Sequence, residues 1–450
     1  MISTSDKSIA LWLALLVACL ALLVSEGAIT GSDGRSTYTV GKSVVERGTV
    51  AVEPSFGIPG RHGLYYSKYG LGLSAVAAAA YAAVKPVARY TPFPDLLGQA
   101  GAASMMPIIC GLLVSAIYLL SRRLNAGPKA AALAAIGALG GTMLLPYSKE
   151  FFSEPLTALF ITVSIERALA GRSAAAGFAA SAAVLTRPQA FAFVPLVVWC
   201  VWRKEGRSGS LQLAASFIPG LALSLAYNLV RFGSPFEFGY GGEHFSTPFL
   251  SGATTLLFDV DKSVFLFAPI VILLPPAFLQ LYTRSREAFW LLCGNLAVTF
   301  VIAAAWVSPQ GGWTWGPRLL IIGVVPAIAA IAPWCEGSVL RKRLVAGLFV
   351  LGSLASAPAM IVSTMAQQLD QPTSGPGIVR QYELIRPTTA YTLNHLYEYK
   401  PGMNREYLNL WQVNAVRLLG RPGVALAALL SGALLLGAGA SANALRRRLV

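Results

Sequence analysis

The chain has 450 residues, of which 55% are hydrophobic and 12% are charged, and it carries a formal net charge of +15. A soluble domain would contain about 25% charged residues, so this composition, with a mean hydropathy of +0.61, excludes a soluble protein and predicts an integral membrane protein. The basic residues stand in short clusters between apolar runs, which indicates membrane orientation and gives no reason to expect a nucleic-acid partner.

Apolar runs recur along the chain and predict an all-α polytopic membrane protein with about twelve transmembrane helices. The first run, residues 8–28, follows Lys7 like a signal peptide, but the many later spans favour a retained helix. Positive residues favour the cytoplasmic side, and that rule assigns to the cytoplasm the clusters at Arg122-Arg123, Arg167–Arg172, Arg203–Arg207, Arg284–Arg286, Arg341–Arg343 and Arg446–Arg448. Both termini are then expected in the cytoplasm, with the protein in the plasma (inner) membrane.

The short apolar segment Leu71–Val84 is predicted to lie in the outer interface as a juxtamembrane element. If it crossed the membrane, every later basic cluster would be inverted. The chain is then a single membrane domain over residues 1–450. Its first outer loop, with juxtamembrane segments, covers 29–102, and its last outer loop covers 365–422. Most of the charged and aromatic residues outside the basic clusters fall in such outer (periplasmic or extracellular) loops, which predicts an outward-facing site.

Asp33 follows the first span in the sequence Gly31-Ser32-Asp33-Gly34-Arg35. Ser-Asp-Gly is typical of a turn, so one interpretation gives Asp33 a purely local role. The other interpretation is a carboxylate held at the membrane surface as a general base toward a hydroxyl. The loop by itself leaves both open.

A second unusual stretch, Trp306–Arg318, combines glycines and tryptophans with Pro317. Pro317 is expected to open a helix and to place Arg318 at a helix N-terminus on the outer face, where a phosphate could bind. Trp313 and Trp315 could stack on a sugar. Alternatively, Arg318 reaches lipid headgroups and the tryptophans anchor the span.

A third stretch, Tyr147–Pro155, contains Glu150 and Glu154. Their spacing of four residues would place both on one face of a helix, where they could position a substrate hydroxyl, a metal ion or a cation. The alternative is that one carboxylate pairs with Lys149 and the other caps the next helix. Arg187, in Thr186-Arg187-Pro188, adds a cation near the outer face.

The order of these motifs resembles that of the GT-C glycosyltransferases, membrane enzymes related to protein mannosyltransferases and aminoarabinose transferases. The matching stretches fall within about residues 8–335 and are Lys68–Gly72, Phe152–Pro155, Leu185–Pro188, Phe232–Tyr240 and Gly311–Arg318. The resemblance implies that an acid of the first outer loop, here Asp33, acts at the reaction centre. Many members carry two adjacent acids there, whereas Gly34 follows Asp33, so no cofactor is certain and a divalent metal stays possible. The three histidines lie in separate loops and predict no metal cluster.

The resemblance implies a glycosyltransferase that moves a sugar from a polyprenyl-phosphate donor to a hydroxyl of a cell-envelope glycan, lipid or protein, with inversion. The expected site consists of the base Asp33, the phosphate ligands Lys68, Arg187 and Arg318, and the further substrate contacts Tyr69, Glu150, Glu154, Trp313 and Trp315. The alternative is a transporter or flippase of a lipid-linked saccharide. That class should hide ionisable residues near the middle of the membrane, and the predicted spans contain few. An accessory protein without activity is a third possibility.

Overall fold

The computed structural model describes residues 2–364, 377–398 and 407–449. Helices dominate these ranges. The amino-terminal part contains α1 (Thr4–Leu23), α2 (Ser32–Arg47), the strands β1 (Ala51–Val52), β2 (Ile58–Pro59) and β3 (Tyr65–Tyr66), then α3 (Leu71–Ala88), α4 (Pro94–Ala103), α5 (Met105–Arg123) and α6 (Pro128–Gly140).

The central part contains α7 (Ser153–Leu169), α8 (Ser173–Thr186), α9 (Val194–Phe232), α10 (Phe249–Phe258), α11 (Val264–Phe267), α12 (Leu274–Arg284) and α13 (Arg286–Ala305). The remaining helices are α14 (Ile321–Ala327), α15 (Ile331–Cys335), α16 (Val339–Ile361), α17 (Ile378–Asn394), α18 (Trp411–Leu419) and α19 (Arg421–Leu449). Parts of the predicted last outer loop, residues 365–376 and 399–406, lie outside the described residues.

Within the described ranges, 8 helical stretches are long and apolar enough to cross a membrane, and 3 shorter apolar helices accompany them. The protein is therefore a helical, multi-pass membrane protein, while the count of about twelve spans stays a prediction. One long stretch, Pro188–Phe232, covers two predicted spans, 189–202 and 211–230. Gly206 interrupts it between them with φ 63° and ψ −148°, a conformation that glycine adopts without a steric penalty.

The helices pack closely around α1 and α5. A Cβ atom at Gly111 of α5 would lie 2.5 Å from the backbone oxygen of Ala14 of α1, so the glycine permits the close approach of the two helices. The buried Asp6 accepts a hydrogen bond from Arg122 Nε at 2.6 Å near the N-terminus of α1. The carboxylate therefore has a cationic partner where the two helix ends meet.

Residues 29–102 form regular structure rather than a plain loop. The three two-residue strands make a small antiparallel sheet in the order β1-β3-β2, which departs from the all-α prediction. Strands this short, bounded by glycine and proline, are too brief to show an alternating pattern in the sequence. α3 is long and apolar enough to be one of the 8 stretches, and it packs on α2, α4 and α8. Its juxtamembrane placement stays a prediction.

Candidate active site

Asp33 lies in the first turn of α2, whose N-cap is Gly31, so the prediction of a turn residue is wrong. A carboxylate in the first turn is favoured by the exposed N–H groups of a helix N-terminus. The next residue, Gly34, is constrained by its neighbours: a Cβ atom there would lie 2.6 Å from the backbone oxygen of Phe151. A second acid at position 34 therefore cannot be accommodated without a shift of the surrounding structure.

Arg318 reaches Asp33 from 285 residues further along the chain, and its Nη2 donates to Asp33 Oδ2 at 2.7 Å. The guanidinium centre lies 4.8 Å from the ring centroid of Phe152. Arg318 Nε is 3.6 Å from Glu154 Oε1, a distance for ionic attraction but not for a hydrogen bond. Arg187 Nη1 lies 2.7 Å from the same oxygen of Glu154. Two carboxylates and two guanidinium groups therefore alternate across the site.

Lys68 and Tyr69 complete the surroundings of Asp33. Tyr69 lines the same cavities as Asp33, close enough for each of the two side chains to shift the pKa of the other. Lys68 Nζ pairs with Glu243 and lies 5.5 Å from the ring centroid of Tyr240. The sequence marked the aromatic loop of residues 232–240 as unusual but gave no role to Tyr240 or Glu243, because nothing local shows that this loop meets Lys68.

The environment of Asp33 favours its charged form. Burial raises the pKa of the carboxyl, but the charge of Arg318 and the hydrogen bonds from Tyr69 and Arg318 lower it to about 2. Burial and the negative charge of Asp33 raise the pKa of the Tyr69 hydroxyl above its usual range. At neutral pH, Asp33 is therefore an anion and Tyr69 is a neutral hydrogen-bond donor.

The turn before Arg318 differs from its prediction in two details. Pro317 caps a 3-10 turn, Arg318–Leu320, which continues into α14, so the helix begins slightly later than expected. Trp315 is fully buried and packs against Phe267 at a centroid distance of 5.2 Å. Its predicted stacking on a substrate is wrong, because none of its side chain is accessible.

Trp313 also has a partner within the protein, since its Nε1 donates to the backbone oxygen of Thr364 at 3.2 Å. It does not line either of the two large cavities described below. Trp306, to which the sequence gave no individual role, is the tryptophan of this stretch that does line a cavity.

Glu150 and Glu154 do not share a helical face, so that prediction is wrong: the backbone bends at Phe151 and Phe152, and α7 begins only at Ser153. Glu150 is buried and accepts a hydrogen bond from Thr364 Oγ1 at 3.0 Å. Burial raises its pKa. Glu154 faces the guanidinium groups, whereas Glu150 is held in a separate buried cluster.

That cluster joins Glu150 to Lys149 and Glu26. Lys149 Nζ donates to the backbone oxygens of Met360 and Asn409 at 2.9 and 3.2 Å. Burial and the neighbouring Glu150 raise the pKa of Glu26 to about 8. The predicted alternative is not confirmed either: among the described residues Lys149 forms no ion pair with Glu150 within 4 Å, and no carboxylate caps α7.

Two cavities meet at Asp33. The first, of about 1190 Å³, lies beside α2 and the small sheet and has a partly polar lining that includes Ser32, Arg35, Ser55 and Glu237. The second, of about 780 Å³, is mostly apolar and has a wall formed by α13, with Val298, Ile302, Ala303 and Trp306. Asp33, Lys68, Tyr69, Tyr240 and Glu243 line both cavities, and Arg187 and Arg318 line the second. The charged residues thus stand at the junction of a cavity with a mixed polar and apolar lining and a cavity that is mostly apolar.

A metal ion finds few candidate ligands here. In the ranges that the structure describes, no group of three or more His, Cys, Asp or Glu side chains is arranged to hold one. The carboxylates of Asp33 and Glu154 both face Arg318.

Three solved structures resemble this chain over most of its length. ArnT from Cupriavidus metallidurans, an aminoarabinose transferase, matches in the apo state and bound to undecaprenyl phosphate with TM-scores of 0.54 and 0.55. In both cases the identity is 16%, and the match covers 98% of this chain and 76% of ArnT. The oligosaccharyltransferase of Archaeoglobus fulgidus matches with a TM-score of 0.52 and 14% identity over 88% of this chain and 58% of that protein.

Neither family models nor curated proteins match the sequence. The structural likeness therefore shows the fold of the chain. Both similar proteins are GT-C glycosyltransferases, and the chain thus has the GT-C fold of a multi-pass membrane protein.

Proposed function

We propose that this protein is a glycosyltransferase that moves a sugar from a polyprenyl-phosphate donor to an acceptor hydroxyl. The observation that carries the proposal is the Asp33–Arg318 pair at the junction of a cavity with a mixed lining and a mostly apolar cavity. A lipid-linked sugar has both kinds of surface, and its reacting bond lies between them. The similar ArnT structure bound to undecaprenyl phosphate supports a donor of this class.

Arg318 and Lys68 are the proposed ligands of the donor phosphate, with Arg187 beside them. Arg318 Nε and Nη1 are buried and find no hydrogen-bond partner among the described residues, so the guanidinium keeps donor capacity for phosphate oxygens. The polyprenyl chain would lie in the apolar cavity against α13. Because the phosphate is already a good leaving group, stabilising its charge matters more than protonating it.

Asp33 is the proposed general base. While Arg318 is paired with it, its pKa of about 2 makes it a weak base. A phosphate bound to Arg318 would share that positive charge, so the pKa of Asp33 would rise only once the donor is in place. The acceptor oxygen then attacks the anomeric carbon, its proton passes to Asp33, and the bond to the phosphate oxygen breaks. This single displacement releases polyprenyl phosphate and inverts the anomeric centre.

The first cavity, which has the mixed lining, is the proposed entrance for the acceptor, a cell-envelope glycan, lipid or protein. The positions of the basic clusters support a site on the outer face of the plasma membrane, with both termini in the cytoplasm and about twelve spans. Glu154 would orient Arg187 and Arg318 rather than touch the sugar.

The test is to incubate the purified protein in lipid nanodiscs with polyprenyl-phosphate hexoses and pentoses and to measure release of polyprenyl phosphate together with glycosylated product. Release with product supports the proposal. Transbilayer movement of the donor in proteoliposomes without any release would instead identify a flippase of a lipid-linked saccharide.

The apolar cavity gives a prediction about the lipid chain. Val298→Trp, which fills the cavity, is expected to raise the KM for a long-chain donor by about thirtyfold, because the lost burial of two or three methylene groups costs on the order of 2 kcal/mol. The control is Val301→Trp on the same helix, where residue 301 is 51% exposed and does not line the cavity. Equal KM values for the two variants would place the lipid elsewhere.

A further inference from the structure

Lys262 is a buried lysine that the proposed chemistry leaves unused. It lies between α10 and α11 and is 3% exposed. Its Nζ donates to the backbone oxygens of Gly312, Thr314 and Gly316 at 3.1, 2.5 and 3.4 Å. In the part of the chain that the structure describes, Lys262 forms no ion pair with a carboxylate within 4 Å. The three N–H bonds of one ammonium group are therefore all directed at one turn.

That turn leads directly into Arg318, and its backbone is unusual. Gly311, Gly312 and Gly316 all have positive φ, between 57° and 76°. The resulting bends point alternate backbone oxygens toward the same side, where Lys262 lies. Without a cation there, the carbonyl groups of Gly312, Thr314 and Gly316 would each lose a hydrogen-bond donor, which is costly for the buried Thr314 and Gly316.

We propose that Lys262 is a positioning residue whose ammonium group holds the Gly312–Gly316 turn so that Arg318 stands against Asp33. The proposal rests on the proposed function for its effect on catalysis. Hydrogen bonds within the turn are a second observation that supports the proposal. Thr314 N donates to Gly312 O and Arg318 N donates to Gly316 O, each at 3.0 Å. Those two oxygens are also acceptors for Lys262, so the lysine and the turn stabilise the same conformation.

A second buried cation has an analogous place on the other side of the junction. Arg231 is 1% exposed, and its guanidinium donates to the backbone oxygens of Ser67 and Tyr69, the two residues that flank Lys68. Its substitution should disturb the segment that carries Lys68 and leave the turn before Arg318 unchanged. Arg231→Met is therefore a matched control for removing a buried cation from this region.

The first experiment is hydrogen exchange at the turn, which needs no substrate. In Lys262→Met, the amides of Thr314 and Arg318 are expected to exchange roughly tenfold faster than in the wild type, as the loss of about one net hydrogen bond predicts. In Arg231→Met they should keep the wild-type rate. If Lys262→Met does not fold, Lys262→Gln, which keeps two donor hydrogens, is expected to show a smaller acceleration. Unchanged exchange in the folded Lys262 variant would overturn the proposal.

The second experiment measures sugar transfer. A displacement of Arg318 by about 1 Å is expected to lower kcat/KM for Lys262→Met about 10²-fold, and Lys262→Arg, which keeps a charged donor, should recover part of it. Wild-type protein that is inactive with every donor would count against the proposed function, while the exchange result still decides the role of Lys262. An active wild type with an equally active Lys262→Met would refute the positioning role alone.

The pH dependence of the rate of sugar transfer distinguishes the positioning role of Lys262 from a general loss of stability. Burial and the charge of Arg318 lower the pKa of Lys262 to about 7, against the attraction of Asp261, Asp259 and Glu150. Below this pH the ammonium group of Lys262 can donate a hydrogen bond to each of the three oxygens. Above it the neutral amine has only two hydrogens to donate. The wild-type rate should therefore fall as pH rises above about 7, and this alkaline limb should be absent in Lys262→Arg, whose guanidinium stays protonated. An unchanged limb in that variant would exclude Lys262 as its source.

Discussion

Asp33→Asn is expected to lower the rate of sugar transfer by about 10²–10⁴-fold, the usual contribution of a positioned general base. The amide keeps the shape of the side chain and can still accept a hydrogen bond from Arg318, but it cannot take the proton from the acceptor hydroxyl. Binding of the donor should persist, because the phosphate ligands Lys68 and Arg318 remain. We therefore expect kcat to fall much more than the affinity for the donor.

The measurement is release of polyprenyl phosphate at saturating donor, together with equilibrium binding of polyprenyl phosphate alone. Glu53→Gln is the matched control, because Glu53 is an exposed carboxylate of the same segment, residues 29–102, and does not line either cavity. The control should retain full activity. Turnover of Asp33→Asn at the wild-type rate would remove Asp33 from the mechanism.

Arg318→Ala is expected to lower kcat/KM by about 10²–10³-fold, as the loss of a preorganised charged donor at a developing anion commonly does. The variant should also weaken binding of polyprenyl phosphate, which Asp33→Asn should not. Arg318→Lys should recover only part of the loss, since an ammonium group cannot bind phosphate and Asp33 with a planar fork.

The same variant should change the pH dependence of the residual activity. The charge of Arg318 is the largest influence that lowers the pKa of Asp33, and without it burial raises that pKa above the wild-type value of about 2. A base whose pKa rises loses its charged form at a higher pH, so activity should decline on the acid side earlier than in the wild type.

This comparison needs a pH–rate profile for Arg318→Ala and for Arg172→Ala, an exposed arginine between α7 and α8, as the control. The control should reproduce the wild-type profile and the wild-type binding of polyprenyl phosphate. Identical acid limbs in the wild type and Arg318→Ala would show that Arg318 does not set the charge of Asp33.

Local sequence patterns identified some site residues and missed others for one physical reason. Asp33, Lys68, Arg187 and Arg318 stand in polar or proline-containing stretches beside apolar runs, where solvent exposure and breaks in the helix are visible in the sequence itself. Glu243 has no such local signal in the sequence, because it joins the site through its contact with Lys68, 175 residues away. Lys262 is similar, since the acceptors that it holds are backbone oxygens 50 to 54 residues distant.

The errors about Glu150 and Trp315 have the same origin. A spacing of four residues predicts a shared face only if the intervening backbone is helical, and the bend at Phe151 and Phe152 removes that condition. An aromatic residue in a glycine-rich stretch is compatible with a binding surface or with a core. Trp315 belongs to the core, because it packs against Phe267, which lies far away in the chain.

By itself, the sequence determined that the protein is a helical membrane protein, because hydrophobicity and its run length are properties of each segment. It also identified Asp33 and Arg318 as candidates. Only the tertiary structure decided that they meet, with 2.7 Å between side chains 285 residues apart, at the boundary of two cavities. Such a contact depends on how α2, α7 and the turn before α14 pack together. The periodicity of residues along one segment does not determine the distance between two separate segments.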